Sequence, residues 1–328
     1  MQANLRSPKL PFLTAAILSA LLLSSSSLSA QDPLQIPPPP DDKSDAEPAG
    51  ARFSTAVDLV VITATVTDRL HQLVTGLPRE AFEIFQDGKR QPIAQFSNRD
   101  IPVSMGIVVD SSASMTNKRV AVNAAALALA RASNPEDEIF ILNFKNTPEI
   151  TQDFTNDIEL LSNALSQVQM WGGTAVLDAV QKGEQHLQSG TKDKKILLII
   201  TDGEDELSKT TLKNLLPLLQ KSDVMIYAIG ILGRPGTRGR RNAEKMLKAL
   251  ADVSGGAAFF PETAEEVGPL ATRIARDIRN QYVLGYALPA GATPGFHKMK
   301  VNAEARWRGK LTVRSRPGFY YEGSQTSR

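Results

Sequence analysis

The chain has 328 residues, of which 42% are hydrophobic and 22% charged, and it contains no cysteine. This length allows a large core and more than one domain. A formal charge of +2 lacks the basic excess of a nucleic-acid-binding protein, and the missing cysteine excludes disulfides, thiolate catalysis and zinc–thiolate sites.

The first 30 residues have the order of regions that is typical of a secretory signal peptide. Arg6 and Lys9 precede an apolar segment at 10–23, and small residues follow it up to Ala30. This segment is shorter than the ~20 residues of a membrane-spanning helix, so we expect cleavage near Ala30, with a membrane anchor as the alternative. The mature protein is then exported, periplasmic or secreted, with no membrane span and a formal charge of zero.

The next segment, residues 31–51, is rich in proline and acidic residues, and its four consecutive prolines favour an extended spacer. In the remaining chain, strands are predicted in an N-terminal flank and in a C-terminal flank, with a longer central segment between them. The N-terminal flank contains a β-branched run and a hairpin signal at Asp87-Gly88. Because three strands alone bury too little surface, we expect residues 52–99 and 281–322 to form one small β-sandwich, with 323–328 as a tail.

Between these flanks, residues 100–280 alternate continuous apolar strands with helices. We expect one helix from Arg241 to Val253, and a last helix that starts at Thr263 with Glu266 completing a capping box. Fully apolar strands between helices indicate a sheet covered on both faces. The predicted fold is therefore α/β: a doubly wound, mostly parallel, Rossmann-like sheet inserted in a small all-β sandwich formed by the N- and C-terminal flanks.

Two of the apolar strands end in polar residues, and a third polar feature follows paired glycines at a helix start. If the strands are neighbours, these residues meet at the carboxyl edge of the sheet. Their side chains offer only oxygen, which suits a hard cation such as Mg²⁺, with Ca²⁺ and Mn²⁺ as alternatives. The predicted ligands are Asp110, Ser112, Ser114, Thr174 and Asp202.

The order D-x-S-x-S, a threonine after paired glycines, and T-D-G resembles the von Willebrand factor A family over about residues 100–280. The resemblance implies that these five residues form a metal-ion-dependent adhesion site. In that family the serines and threonine contact the ion directly or nearly so, and the aspartates commonly act through water. A protein partner that presents an Asp or Glu carboxylate completes the shell. The flanks resemble a bacterial group of exported proteins related to this family.

Two alternatives stay open at the predicted ligands. The chain is a structural or scaffolding module with a weak or vestigial metal site, or Asp110 and the serines only cap the next helix. A phosphotransferase like the haloacid dehalogenases would need a second aspartate where Ser112 stands, so we predict that the protein is not an enzyme.

Other polar features lie near the same sheet edge in the predicted fold. The loop at 232–243 carries four arginines and either attracts an acidic partner or is simply solvated. The run at 204–206 is either a second cation site or an exposed acidic loop, and Trp171 either lines the rim of the site or packs ordinarily. The arginines are Arg234, Arg238, Arg240 and Arg241.

Overall fold

The computed structural model describes residues 58–289, 291–305 and 309–323. The predicted signal peptide at 1–30, the proline-rich segment at 31–51 and most of the tail lie outside these described residues.

The described chain contains fourteen strands and six α-helices, in the order expected for flanking strands around an α/β core. The strands β1–β14 are Leu59–Thr67, Phe82–Gln86, Lys89–Gln91, Gln95–Ser97, Val103–Asp110, Glu138–Phe144, Pro148–Thr155, Lys194–Thr201, Met225–Gly230, Ala257–Phe259, Tyr282–Ala287, Gly295–Ala303, Thr312–Ser315 and Gly318–Tyr321. The helices α1–α6 are Arg119–Ala132, Ile158–Ser166, Val176–Leu187, Leu212–Lys221, Arg238–Ser254 and Val267–Arg279.

The central sheet has six strands in the order β10-β9-β8-β5-β6-β7, and only β7 runs antiparallel to its neighbour. Every residue of β5 is buried, because helices cover both faces of the sheet. One face packs against α1, α2 and α6, and the other against α3, α4 and α5. The predicted doubly wound, mostly parallel fold is confirmed.

The start of α5 differs from the prediction. The helix begins at Arg238 rather than Arg241, because the hydroxyl of Thr237 accepts a hydrogen bond from the backbone N–H of Arg240 at 3.2 Å and caps the first turn. Part of the predicted arginine loop is therefore helical.

The predicted capping box of the last helix was wrong. Thr263 makes no side-chain capping bond, residues Ala264–Glu266 form a 3₁₀ turn, and α6 begins at Val267. The Glu266 carboxylate accepts a hydrogen bond from the backbone N–H of Glu262, at 3.2 Å, instead of from that of Thr263.

The flanks form two four-stranded antiparallel sheets, in the orders β13-β1-β11-β4 and β14-β12-β2-β3. They enclose a common core in which Ile62 and Tyr282 of the first sheet meet Ile84 and Met299 of the second. Each sheet contains one short strand more than the sequence predicted, β4 and β14. The domain boundaries remain predictions, since the described residues all belong to one compact unit.

A buried polar network joins the sandwich to the central sheet. The side-chain amide of Gln281 donates to the hydroxyls of Thr65 and Tyr227, each at 3.1 Å. Arg314 donates to the same Tyr227 hydroxyl at 3.1 Å and lies 3.6 Å from the carboxylate of Asp277. Tyr227 stands near the amino end of β9, so the sandwich attaches there and leaves the carboxyl edge of the sheet open.

None of the helices in the described ranges has the length and apolarity needed to cross a bilayer.

A buried histidine gives the sandwich a pH-dependent contact. Nδ1 of His297 lies 2.7 Å from the Asp87 carboxylate, and Nε2 lies 2.8 Å from the carbonyl oxygen of Thr293. Asp87 and Thr293 thus place an acceptor at each ring nitrogen, and the amide nitrogen of Gln86 lies 3.2 Å from Nδ1. The protonated imidazolium can donate to both acceptors. The hydrogen bond to Asp87 raises the pKa of His297, and the same bond lowers the pKa of Asp87.

We predict that this contact stabilises the fold most below pH ~6.5, the ordinary histidine pKa, and fades as the pH rises through the higher folded pKa. Urea denaturation between pH 5.5 and 8.5 should show a loss of unfolding free energy in the wild type that is smaller in His297→Gln. Parallel pH profiles for the two proteins would contradict this.

Candidate functional site

The candidate site forms where two parallel strands end side by side. Strand β5 pairs with β8 through Val109 and Ile200, and with β6 on its other side. The chain moves from β5 to β6 in one direction and later returns to β8 in the other, so the strand order reverses between β5 and β8. Asp110 and Asp202 therefore stand at the switch point, where sheets of this type bind ligands.

Three of the predicted ligands form one hydrogen-bonded run. The hydroxyls of Ser112 and Ser114 lie 3.1 Å apart, and the Ser114 hydroxyl donates to Oδ1 of Asp202 at 2.8 Å. Ser112 and Asp202 are buried, whereas Ser114 is exposed. The run thus leads from the interior to solvent.

Asp110 lies behind this run and is 1% exposed. Its Oδ1 accepts the backbone N–H of Ser112 at 2.9 Å, and its Oδ2 accepts the hydroxyl of Thr201 at 2.5 Å. Burial raises the pKa of Asp110, hydrogen bonds from Thr201 and from the side chain and backbone of Ser112 oppose this rise, and the charge of Asp202 adds to it. The carboxylate is held in one orientation by these partners.

Thr174, which lies just before α3, is at the same edge and contacts the loop after β8. Its carbonyl oxygen accepts the backbone N–H groups of Glu206 and Leu207 at 2.9 and 3.0 Å. A Cβ added to Gly203 would lie 3.5 Å from the Thr174 hydroxyl, so this hydroxyl borders the residue that follows Asp202. All five predicted ligands therefore lie at one edge.

The helix-capping alternative is contradicted by the local geometry. Ser112 precedes a 3₁₀ turn without a side-chain capping bond, and α1 begins only at Arg119. The hydroxyl of Ser111 turns away from the run and donates to Asn143 of β6 at 3.1 Å. Ser112 and Ser114 therefore belong to the hydrogen-bonded run, whereas Ser111 has a purely local role.

Sequence reasoning missed two residues at this edge. Thr201 is fully buried and orients Asp110; the sequence signal for it was the threonine of T-D-G. Lys118 forms an ion pair with Oδ2 of Asp202, whose side chain is 2% exposed. Spacing does not specify the reach of a lysine side chain, so no sequence pattern pointed to this pair.

The donor set fits a hard divalent cation by its chemistry. It offers hydroxyl and carboxylate oxygens, with neither nitrogen nor sulfur among the predicted ligands, and Mg²⁺ in proteins takes such oxygens together with water. The described ranges contain no group of three or more histidine or acidic side chains that could hold a metal ion. Any cation here would depend on the hydroxyls of Ser112, Ser114 and Thr174 as well as on the two aspartates.

The acidic run after Asp202 is used for local structure. The Asp205 carboxylate accepts the backbone N–H of Leu177 at 3.2 Å, at the start of α3. Glu204 instead lies towards α5, where Asn242 donates to it at 3.4 Å. The two carboxylates thus point to different helices rather than to a common ion.

Trp171 lies at the rim of the candidate site. Its backbone N–H donates to the carbonyl oxygen of Ser111 at 3.3 Å, and its side chain is half exposed. The ammonium of Lys145 lies 4.4 Å from the centroid of the indole ring. The rim therefore presents an aromatic side chain to solvent.

We predict that Asp110→Asn stabilises the protein in EDTA, by about 1 kcal/mol, because it removes a buried charge next to Asp202. The Thr201 hydroxyl can rotate to accept a hydrogen bond from the new amide. Urea denaturation measures the change.

Asp137→Asn is the matched control. Asp137 is also buried, but its two oxygens accept backbone N–H groups of Val103 and Asn134 at 2.8 and 2.9 Å. An amide would lose one of these bonds, so this variant should be less stable than the wild type. Equal destabilisation by the two substitutions would contradict the account of Asp110.

Comparison with known proteins agrees with the fold of the central segment. The family model of the von Willebrand factor type A domain matches residues 105–204. No curated protein matched the sequence.

Several solved structures are similar to parts of the chain. An aerotolerance-related membrane protein from Bacteroides fragilis is 14% identical, with a TM-score of 0.44, over 53% of this chain and 98% of that one. A von Willebrand factor type A protein from Catenulispora acidiphila is 12% identical, with a TM-score of 0.46, over 83% and 76%. The von Willebrand factor domain of the type V pili tip protein Mfa5 from Porphyromonas gingivalis is 13% identical, with a TM-score of 0.45, over 55% and 97%. With its doubly wound sheet and the match at residues 105–204, the chain contains a von Willebrand factor type A domain.

Proposed function

We propose that the chain is an exported binding protein that holds a divalent cation, Mg²⁺ before Ca²⁺ or Mn²⁺, at the carboxyl edge of its central sheet. A partner protein with an Asp or Glu carboxylate would bind there. The observation that supports this most is the hydrogen-bonded run from Ser112 through Ser114 to Asp202, which opens to solvent at Ser114.

Each residue of the proposed site has a separate task. The hydroxyls of Ser112, Ser114 and Thr174 would supply neutral oxygen donors, and Asp202 would supply charge. Asp110 holds the Ser112 backbone from behind, through the 2.9 Å bond to its N–H. A bound Mg²⁺ would supply a Lewis-acidic position for a carboxylate from outside. Because the donors nearest to solvent are neutral hydroxyls, a bound cation would keep a Lewis-acidic position on that side, which favours an anionic partner over a neutral one.

A binding role fits these residues better than an enzymatic one. Proton transfer needs a group that can reach the substrate, and Asp110 is 1% exposed and already bonded to Thr201 and Ser112. Ser112 stands where a phosphotransferase of the haloacid dehalogenase type has its acid–base aspartate.

The second candidate function is a scaffolding module with a vestigial metal site, and one observation favours it. The Lys118 ammonium pairs with Asp202 and so supplies a positive charge from within the chain. If this pair persisted in the presence of cations, the edge would be stable without metal and would have no vacant position for a partner's carboxylate.

The experiment that separates these functions uses a labelled peptide, acetyl-Gly-Ser-Gly-Asp-Gly-Ser-Gly-amide, and its counterpart with Asn in place of Asp. Fluorescence anisotropy should give about ten-fold tighter binding of the Asp peptide in Mg²⁺ than in EDTA, since about 1.4 kcal/mol corresponds to this factor. The Asn peptide should show no such gain, and Ser112→Ala should abolish the gain for the Asp peptide.

Ser111→Ala is the matched control, because Ser111 stands at the same strand end but bonds to Asn143. This variant should bind the Asp peptide like the wild type. Equal binding of the Asp and Asn peptides, or an unchanged Ser112→Ala variant, would exclude the proposed function and favour the scaffolding module.

A further inference from the structure

An exposed cluster of arginines lies beside the candidate site. Arg234, in the loop after β9, and Arg238 and Arg241, in the first turn of α5, are all exposed. No ion pair of these three is seen within the described part of the chain. Arg240 differs from them because it pairs with Glu244 at 2.8 Å, whereas the Arg241 side chain donates to a backbone carbonyl oxygen, that of Gly236, at 2.6 Å. We call Arg234, Arg238 and Arg241 the basic surface.

The sheet places the loop that leads to the basic surface at the same edge as the proposed ligands. Strand β9 runs parallel to β8, with Gly230 paired to Thr201, and the backbone N–H of Ile231 donates to the Thr201 carbonyl oxygen at 2.9 Å. The chain between β9 and α5 therefore leaves the sheet at the same edge as Asp202. Neighbouring strands lie ~4.8 Å apart, so β9 is about 10 Å from β5.

Side chains confirm that α5 adjoins the loop after Asp202. Asn242 donates to the Glu204 carboxylate at 3.4 Å, and a Cβ on Gly239 would overlap with the same carboxylate. Glu204 is thus held against the first turn of α5. Glu206 lies on the other side of this loop, towards Gly173.

The arrangement of charges defines the kind of partner that fits. The proposed cation attracts one carboxylate and the three arginines attract another, whereas Glu204, which is held against the first turn of α5, repels a carboxylate that comes close to it. The ends of β5 and β9 are about 10 Å apart, and an extended chain advances about 3.3 Å per residue, so a segment that crosses from one strand end to the other needs three or four residues. The guanidinium groups also match carboxylates in shape, since they can donate two parallel hydrogen bonds.

We propose that the basic surface is the second half of a two-point site for an extended acidic segment of the partner protein. One carboxylate of that segment binds at the cation, and another, three or four residues away, binds at Arg234, Arg238 and Arg241. This inference rests on the proposed function and adds to it the partner's charge and the spacing of its acidic residues.

The test compares two labelled peptides in Mg²⁺, one with a single Asp in a Gly-Ser background and one with a Glu added four residues after that Asp. In the wild type at low salt, the second acidic residue should strengthen binding about three- to five-fold, and this gain should shrink at 200 mM NaCl. The triple variant Arg234→Ala, Arg238→Ala and Arg241→Ala should lose the gain and keep wild-type affinity for the single-Asp peptide.

A variant with Arg69→Ala, Arg99→Ala and Arg131→Ala serves as the control. It changes the net charge by the same amount as the basic-surface variant, and all three of its arginines are exposed. Arg99 and Arg131 lie at the opposite end of the central sheet. This variant should retain the gain from the second acidic residue.

The outcomes separate the inference from the proposed function. If the single-Asp peptide shows no Mg²⁺-dependent binding, the proposed function fails. If that binding stands but the second acidic residue adds nothing, or the gain survives in the Arg234, Arg238 and Arg241 variant, only the basic-surface inference is overturned. Equally tight binding of a thymidine oligonucleotide of matching charge would overturn the assignment of a carboxylate-bearing segment.

Discussion

The parallel pairing of β5 with β8 is the constraint on which the candidate site depends. It aligns two strands that are almost entirely apolar, and the chain can become polar only where they end. Because β5 is buried along its whole length, a slip of its register would place Asp110 against the hydrophobic core. The packing of the core therefore fixes the relative positions of Asp110 and Asp202, and the loops only supply the remaining oxygens.

This arrangement buries two carboxylates within one small region, and their charge has to be compensated. Thr201 and the backbone of Ser112 stabilise Asp110 by hydrogen bonds, and Lys118 pairs with Asp202. A divalent cation would compensate both aspartates at once, and it would compete with Lys118 for Asp202. In the proposed binding protein Asp202 would pair with the divalent cation, whereas in the scaffolding module it would stay paired with Lys118.

The sandwich contributes by where it attaches. The contacts of Tyr227 with Gln281 and Arg314 lie near the amino end of β9, away from the candidate ligands. The central sheet, which is inserted between the two flanks of the sandwich, therefore keeps its carboxyl edge free. A partner can approach that edge without displacing the flanking strands.

The sequence predicted the parts of this structure that follow from continuous apolar runs and from polar residues at their ends. The doubly wound sheet, the flanking sandwich and the neighbourhood of Asp110 and Asp202 all follow from such patterns. The start of α5 was missed because the arginine-rich segment at 232–243 was interpreted as a loop, and Thr237 was not identified as the cap of the helix. Lys118 was missed because a flexible side chain can reach many partners, and only the folded backbone selects Asp202.

Isothermal titration with Mg²⁺ tests the central claim most directly. The account predicts one Mg²⁺ per chain in the wild type and in Ser111→Ala, none in Ser112→Ala, and tighter binding in Lys118→Met, where the competing ammonium is gone. Absence of Mg²⁺ binding in the wild type, or binding unchanged by Ser112→Ala, would contradict it.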